Sequence, residues 1–191
     1  MPTTEPHADA PATGDDAPSS PSPWVRRYRA VTLGMVSLIA LNAFESLAVT
    51  TTMPAVVAAL GGISLYAMAF AGPMASAVVG MVSAGQWADR SGPTRPVLTG
   101  VALFAVGLVV AGTAVAMPVL VAGRVVQGLG GCMLSVALYV VVARIYPLHV
   151  RPRVFAAFAA AWVLPAVVGP ALAGLIADHL GWRWVFLSVP A

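Results

Sequence analysis

The chain has 191 residues, 59% of them hydrophobic and only 9% charged, and its formal charge of +3 rests on arginine because no lysine occurs. A mean hydropathy of +0.88 excludes an ordinary soluble domain, and a single cysteine, Cys132, excludes intrachain disulfides. No metal-ligand spacing, nucleotide-binding loop or nucleophilic triad occurs, so the residues point to no enzyme, no cofactor, no metal and no nucleic-acid partner.

Residues 1–25 are rich in Pro, Ser, Thr and Asp, and hold four of the seven acids, Glu5, Asp9, Asp15 and Asp16. Such a tract buries too little apolar surface to fold and predicts a disordered tail. It is no signal peptide, because its flank is acidic and the apolar run that follows is too long and contains Glu45.

Five apolar runs long enough to cross a bilayer come next: Ala30–Leu60, Leu65–Trp87, Pro96–Ala116, Pro118–Ala143 and Val154–Ala177. A sixth opens at Trp184 and is cut off at Ala191. The expected fold is an all-α membrane bundle over 26–191, with short connections that make neighbouring spans antiparallel. Arg26, Arg27, Arg29, Arg90, Arg95, Arg144, Arg151 and Arg153 fall on one side of this arrangement and Arg183 alone on the other. Positive charge marks the cytoplasmic side, so the N-terminus is expected inside. Trp24, Tyr28, Tyr66, Trp87, Tyr146, Trp182 and Trp184, near span ends, read as interfacial anchors.

In the first span Asn42, Glu45, Ser46 and Met53 fall on one helical face, with Thr50 beside it. The second carries Gly72, Ser76, Gly80 and Ala84 at four-residue steps, a stripe suited to close helix packing. It runs into GQWADRSGPTRPVL, which reads as a cytoplasmic turn. There Gly85 and Gly92 allow close approach and tight turning, and Pro93 and Pro96 fix the chain before the third span. Asp89 sits at the C-terminal end of a helix, where the dipole disfavours an acid, so it calls for a partner: Arg90, Arg95 or another helix N-terminus.

In the fourth span Arg124, Gln127, Gly128, Gly131 and Ser135 share a face, with Tyr139 at its margin. Glu45 lies about 22 Å along the first span and Arg124 about 9 Å into the fourth from the opposite side, in a core about 30 Å thick, so both reach a similar depth. Each such charge costs roughly 3 kcal/mol unless paired or hydrated. Two readings stay open: a proton-coupling pair on the wall of a water-filled cavity, or a static pair that only neutralises itself. The fifth span carries Gly169, Ala173 and Ala177 as a second small-residue stripe, Pro170, which can bend it, and Trp162 near mid-membrane. Spans one and four thus match in polar stripes and spans two and five in small residues, the pattern of three-plus-three inverted repeats.

Several of these stretches resemble the major facilitator superfamily of transporters. The loop signature is matched by Gly85, Asp89, Arg90, Gly92 and Arg95, and the span-four signature by GRVVQGLGG with Arg124, Gln127, Gly128, Gly130 and Gly131. The antiporter signature of span five is matched by Gly169, Pro170 and Gly174, although Pro165 and Ala173 stand where the fuller pattern has glycine. Glu45 in FESLAVTTTMP takes the place of the usual aspartate, and GWRWVFLSVP is similar to the start of span six in drug:proton antiporters. The resemblance implies an N-terminal six-helix bundle with its sixth helix truncated, partnered by a missing C-terminal half. It implies a gate at the Asp89 loop, where a solvated turn that only sets topology is the alternative. The expected function is proton-coupled export of apolar or amphipathic drugs across the cell membrane by alternating access. Its partners would be protons, a small-molecule substrate and the lipid bilayer. A carrier of an endogenous metabolite and a non-transporting membrane scaffold are the alternatives.

Overall fold

The computed structural model describes residues 26–189, so the tail expected to be disordered, and Trp24 within it, lie outside the described residues. Helix α1 spans Arg26–Leu60, and Gly61 and Gly62, both at positive φ, lead through a short 3-10 turn into α2, Tyr66–Ser91. Then follow α3 (Thr94–Gly112), α4 (Met117–Ile145), α5 (Arg151–Leu180) and the short α6 (Arg183–Leu187). No strand occurs among the described residues. Five of the helices are long and apolar enough to cross a membrane. Large apolar side chains such as Met74, Val163, Leu164 and Val167 stand exposed on them, which suits a hydrocarbon surround.

The charged stretch between the second and third spans is not a turn. Asp89 and Arg90 lie in the last helical turn of α2, and only Gly92 and Pro93 separate α2 from α3. Nothing from Trp87 to Ser91 breaks the helix. The break comes at Gly92, whose φ of 83° requires glycine and whose N–H closes back on the Ala88 carbonyl. Gly85 lies within α2 with open space where a side chain would project, so it serves no close approach among the described residues. Helix α3 ends at Gly112, short of Ala116, with Thr113 as its cap and Ala116 extended ahead of α4. Pro118 and Pro152 sit in the first turns of α4 and α5, where a missing N–H costs nothing.

Helix α4 is the centre of the bundle. It packs along both α2 and α3, while α1 packs along α5. The α2 stripe does the first: side chains at Gly72 or Gly80 would strike Val125 and the Leu129 carbonyl, and the Ser76 hydroxyl donates to the Val125 carbonyl at 2.7 Å. The α3 seam is a glycine ladder. Gly100 and Gly107 on α3 interleave with Gly123 and Gly130 on α4, backbone against backbone. On α5, Gly169 lies against Phe44 and Leu47 of α1.

Two apolar clusters bracket the middle of the bundle. One joins Val49, Met53 and Val56 of α1 to Leu108, Ala111, Leu120 and Phe186. The other joins Met35 and Ile39 to Leu134, Leu138, Val142, Tyr146, Val154 and Phe158. Met53 therefore belongs to the core and not to a polar face. Tyr146 and Trp182, expected as interfacial anchors, are buried as well. The Tyr146 hydroxyl shares a 2.7 Å hydrogen bond with Thr32 and its ring stacks on Tyr28, while Trp182 meets Phe186 edge-on. The Tyr146 hydroxyl finds its partner inside the bundle, so burial costs it little.

Candidate functional site

Between the two clusters, α1 contributes Asn42 to Thr50 and α4 contributes Arg124 to Ser135. Here the structure brings Glu45 and Arg124 together. Arg124 Nη1 donates to Glu45 Oε1 at 2.9 Å and to Oε2 at 3.1 Å, and to Gln127 Oε1 at 2.6 Å. Gln127 Nε2 donates in turn to Glu45 Oε2, and Arg124 Nε reaches the Ala69 carbonyl of α2 at 3.5 Å. Glu45 is only 1% exposed and Arg124 7%. Three helices thus meet at one buried, charge-balanced cluster. Each member satisfies another, the condition under which a buried ion pair is tolerated.

The cluster forms part of the wall of a cavity of about 410 Å³, within the range of roughly 300–1,000 Å³ usual for small-molecule sites. Asn42, Ser46 and Thr50 of α1 line it, as do Gln127, Gly128, Gly131 and Ser135 of α4. Two glycines shape it. A Cβ at Gly128 would strike the Pro73 backbone, and one at Gly131 would stand 2.7 Å from Asn42 Oδ1. The glycines therefore let α2 and the Asn42 carboxamide approach α4 closely. The remaining wall is apolar and largely aromatic: Phe70, Met74, Phe104 and Trp162.

Sequence reasoning left Trp162 between lipid, packing and substrate. It is exposed and lines both this cavity and a second of about 430 Å³, formed with Tyr139, Phe155 and Phe158. The Tyr139, Phe155 and Phe158 rings sit 5.7–6.3 Å apart. The spacing Phe155, Phe158, Trp162 places all three on one face of α5, and that is the signal by which the group could have been found.

The remaining site residues do not join this cavity. Asp89, Arg90 and Arg95 are exposed at the ends of α2 and α3, and Asp89 has no ion pair or hydrogen bond among the described residues. Neither Arg90 nor Arg95 serves as the partner its position calls for. Arg144 of α4 instead donates to the Ala88 carbonyl beside it at 3.0 Å, capping α2 with a positive charge. Arg144 carried only a topological meaning in the sequence. Pro170 is exposed on α5, Gly174 borders open space, and Gly169 alone of that trio is buried, against α1.

The sequence has counterparts among known proteins. A family model described as Major Facilitator Superfamily matches residues 35–190. Multidrug resistance protein 3 of Bacillus subtilis (strain 168) is 32% identical over 161 residues, 84% of this chain and 31% of that protein. An MFS-type transporter of Penicillium citrinum is 32% identical over 161 residues, 84% of this chain and 27% of its own length. A probable multidrug-efflux transporter of Mycobacterium tuberculosis (strain ATCC 25618 / H37Rv) is 30% identical over 160 residues, 84% and 34% of the two chains. The chain spans about a quarter to a third of the length of these curated relatives. With the family model covering most of its residues, this multi-pass, all-α membrane chain belongs to the Major Facilitator Superfamily, a family of transporters and not of enzymes.

Proposed function

We propose that the chain forms one wall of a proton-coupled exporter of apolar or amphipathic compounds, with Glu45 as the proton carrier and Arg124 as its counter-charge. The observation that carries this is the Glu45–Arg124–Gln127 cluster set into the wall of a small-molecule cavity. A proton on Glu45 removes the charge to which Arg124 is bonded. The guanidinium is then a buried cation without its anion, a state costly enough to force a new partner, water entry, or a shift of α1 against α4. The charge state of Glu45 is thereby coupled to the shape of the cavity, as an antiporter requires. Two relatives named for multidrug resistance and multidrug efflux support drugs as the substrate class.

A second helical bundle, supplied by further chain, closes the cavity from the opposite side. The exposed Asp89, without a partner among the described residues, supports a gate in which that bundle provides the partner. In the cell membrane, where such an exporter would act, the N-terminus faces the cytoplasm; the support is that Arg29, Arg90, Arg95, Arg144, Arg151 and Arg153 lie toward one end of the bundle and Arg183 toward the other.

The test is substrate-induced proton release from the purified full-length transporter in detergent. The parent should release protons, and Glu45→Gln should stay silent while still binding substrate. Release by Glu45→Gln equal to the parent's removes Glu45 from the coupling step and leaves the pair structural.

A further inference from the structure

We propose that this wall recognises an uncharged, planar aromatic compound carrying a carbonyl group, with Asn42 holding the carbonyl and Trp162 taking the ring.

Consider first what the cavity withholds. Glu45 is its one carboxylate, and both oxygens are engaged by Arg124 and Gln127 with the side chain 1% exposed. Arg124 is neutralised by the same bonds. While Glu45 is charged, a cationic substrate finds no free anion on this wall, and an anionic one finds no uncompensated cation. The wall therefore selects against net charge.

Consider next what it offers. Ser46, Thr50 and Ser135 spend their hydroxyl protons on carbonyls of their own helices, at 2.9, 2.6 and 2.9 Å. The Asn42 carboxamide makes no hydrogen bond to any described residue. It is half-buried and is held close to α4 because Gly131 has no side chain to displace it. Its N–H donors await an acceptor, and a carbonyl oxygen is the plainest one. Phe70, Phe104 and Trp162 line the same cavity. Trp162 is still 43% exposed, so its ring face is open to stacking. One free polar group beside aromatic side chains is what orients a flat, apolar ligand.

The inference rests on the transport proposal for its purpose, but its test reads binding alone. The full-length transporter, with any cysteine other than Cys132 replaced by serine, is treated with a small maleimide. Cys132 lines the same cavity, so its alkylation reports occupancy. Three flat tricyclic probes are compared: acridone (neutral, with a carbonyl), anthracene (neutral, without one) and N-methylacridinium (cationic). Acridone should protect Cys132 at the lowest concentration. Asn42→Leu should weaken protection by acridone about tenfold, the worth of one hydrogen bond, and leave anthracene unchanged. Trp162→Ala should weaken both. Should Asn42→Leu disturb the fold, the nearly isosteric Asn42→Asp supplies the second reading by reversing the preference from acridone to N-methylacridinium. Best protection by N-methylacridinium in the parent, equal protection by all three, protection by none, or acridone binding indifferent to both Asn42 variants each overturns the proposal. Acridone bound through Asn42 but never moved across a membrane would instead refute export and leave the recognition standing.

Discussion

Removing Arg124 tests the centre of the bundle most directly. Glu45 accepts two hydrogen bonds from Arg124 Nη1 and one from Gln127 Nε2, at 1% exposure. In Arg124→Met the carboxylate keeps one hydrogen bond and loses its counter-charge. Breaking a buried pair from one side costs about 3–5 kcal/mol, most of it the penalty of the stranded partner. Glu45→Leu strands Arg124 in the same way and should cost a similar amount. The double variant Glu45→Leu, Arg124→Met strands nothing and fills the space with apolar atoms. It should recover most of the loss, because replacing both members of a buried pair is often neutral or stabilising. The assay is unfolding of the four full-length proteins in detergent, read as a double-mutant cycle. Residues in contact deviate from additivity by about 0.5–3 kcal/mol or more, distant ones by less than about 0.5. A double variant whose loss equals the sum of the singles would mean that the two charges do not meet, and the reasoning fails with the geometry.

Three further outcomes follow from the same contacts. Asp89→Asn should leave insertion and expression intact and cut transport by more than about tenfold, the effect of losing a coupling of roughly 1.4 kcal/mol; unchanged rates leave Asp89 as a solvated helix end. In a Cys132→Ala background, Ser91→Cys should resist a membrane-impermeant reagent applied outside intact cells, and labelling there inverts the topology. Gly130→Ala places a methyl against the Phe104 N–H and Gly100 carbonyl and should cost about 1–3 kcal/mol of stability, whereas Gly174→Ala, with nothing within 4 Å, should stay within about 0.5 kcal/mol; equal losses would count against the α3–α4 seam.

Much of this molecule is legible in its sequence because a membrane makes the rules strict. A span must be apolar and about 20 residues long, so five spans stand out by length alone. Depth arithmetic puts Glu45 and Arg124 at one level, and there the side chains meet, since neither charge has a cheaper neighbour. Span ends are less legible. Asp89 and Arg90 look like a turn because charge usually leaves the hydrocarbon, but a helix continues into the headgroup region until a backbone feature stops it, here Gly92. Tyr146 and Trp182 look like belt residues by position alone, and only three-dimensional packing reveals that Thr32 and Phe186 await them. The α3–α4 ladder could have been read from the seven-residue spacing of Gly100 with Gly107 and of Gly123 with Gly130. Single glycines say little, but two pairs in the same register on neighbouring helices imply one seam. The free Asn42 carboxamide had no sequence signal, because whether a polar side chain is satisfied depends on everything around it.

The polar stripes face each other for a reason that lies in the backs of their helices. Helix α4 buries one side against the small residues of α2 and another against the glycines of α3, while α1 buries its side against α5 at Gly169. In each case the first helix of one three-helix repeat is backed by the second helix of the other. Close packing on these seams needs small, apolar surfaces, so a charge cannot sit there. Lipid excludes charge from the outer faces just as firmly. The inner faces of α1 and α4 are all that remain, and both repeats are driven to the same solution. Arg124 and Glu45 meet between α4 and α1, one charge from each. On the transport proposal, a change in the charge of either one is therefore felt between α1 and α4, the two helices that share the cavity wall.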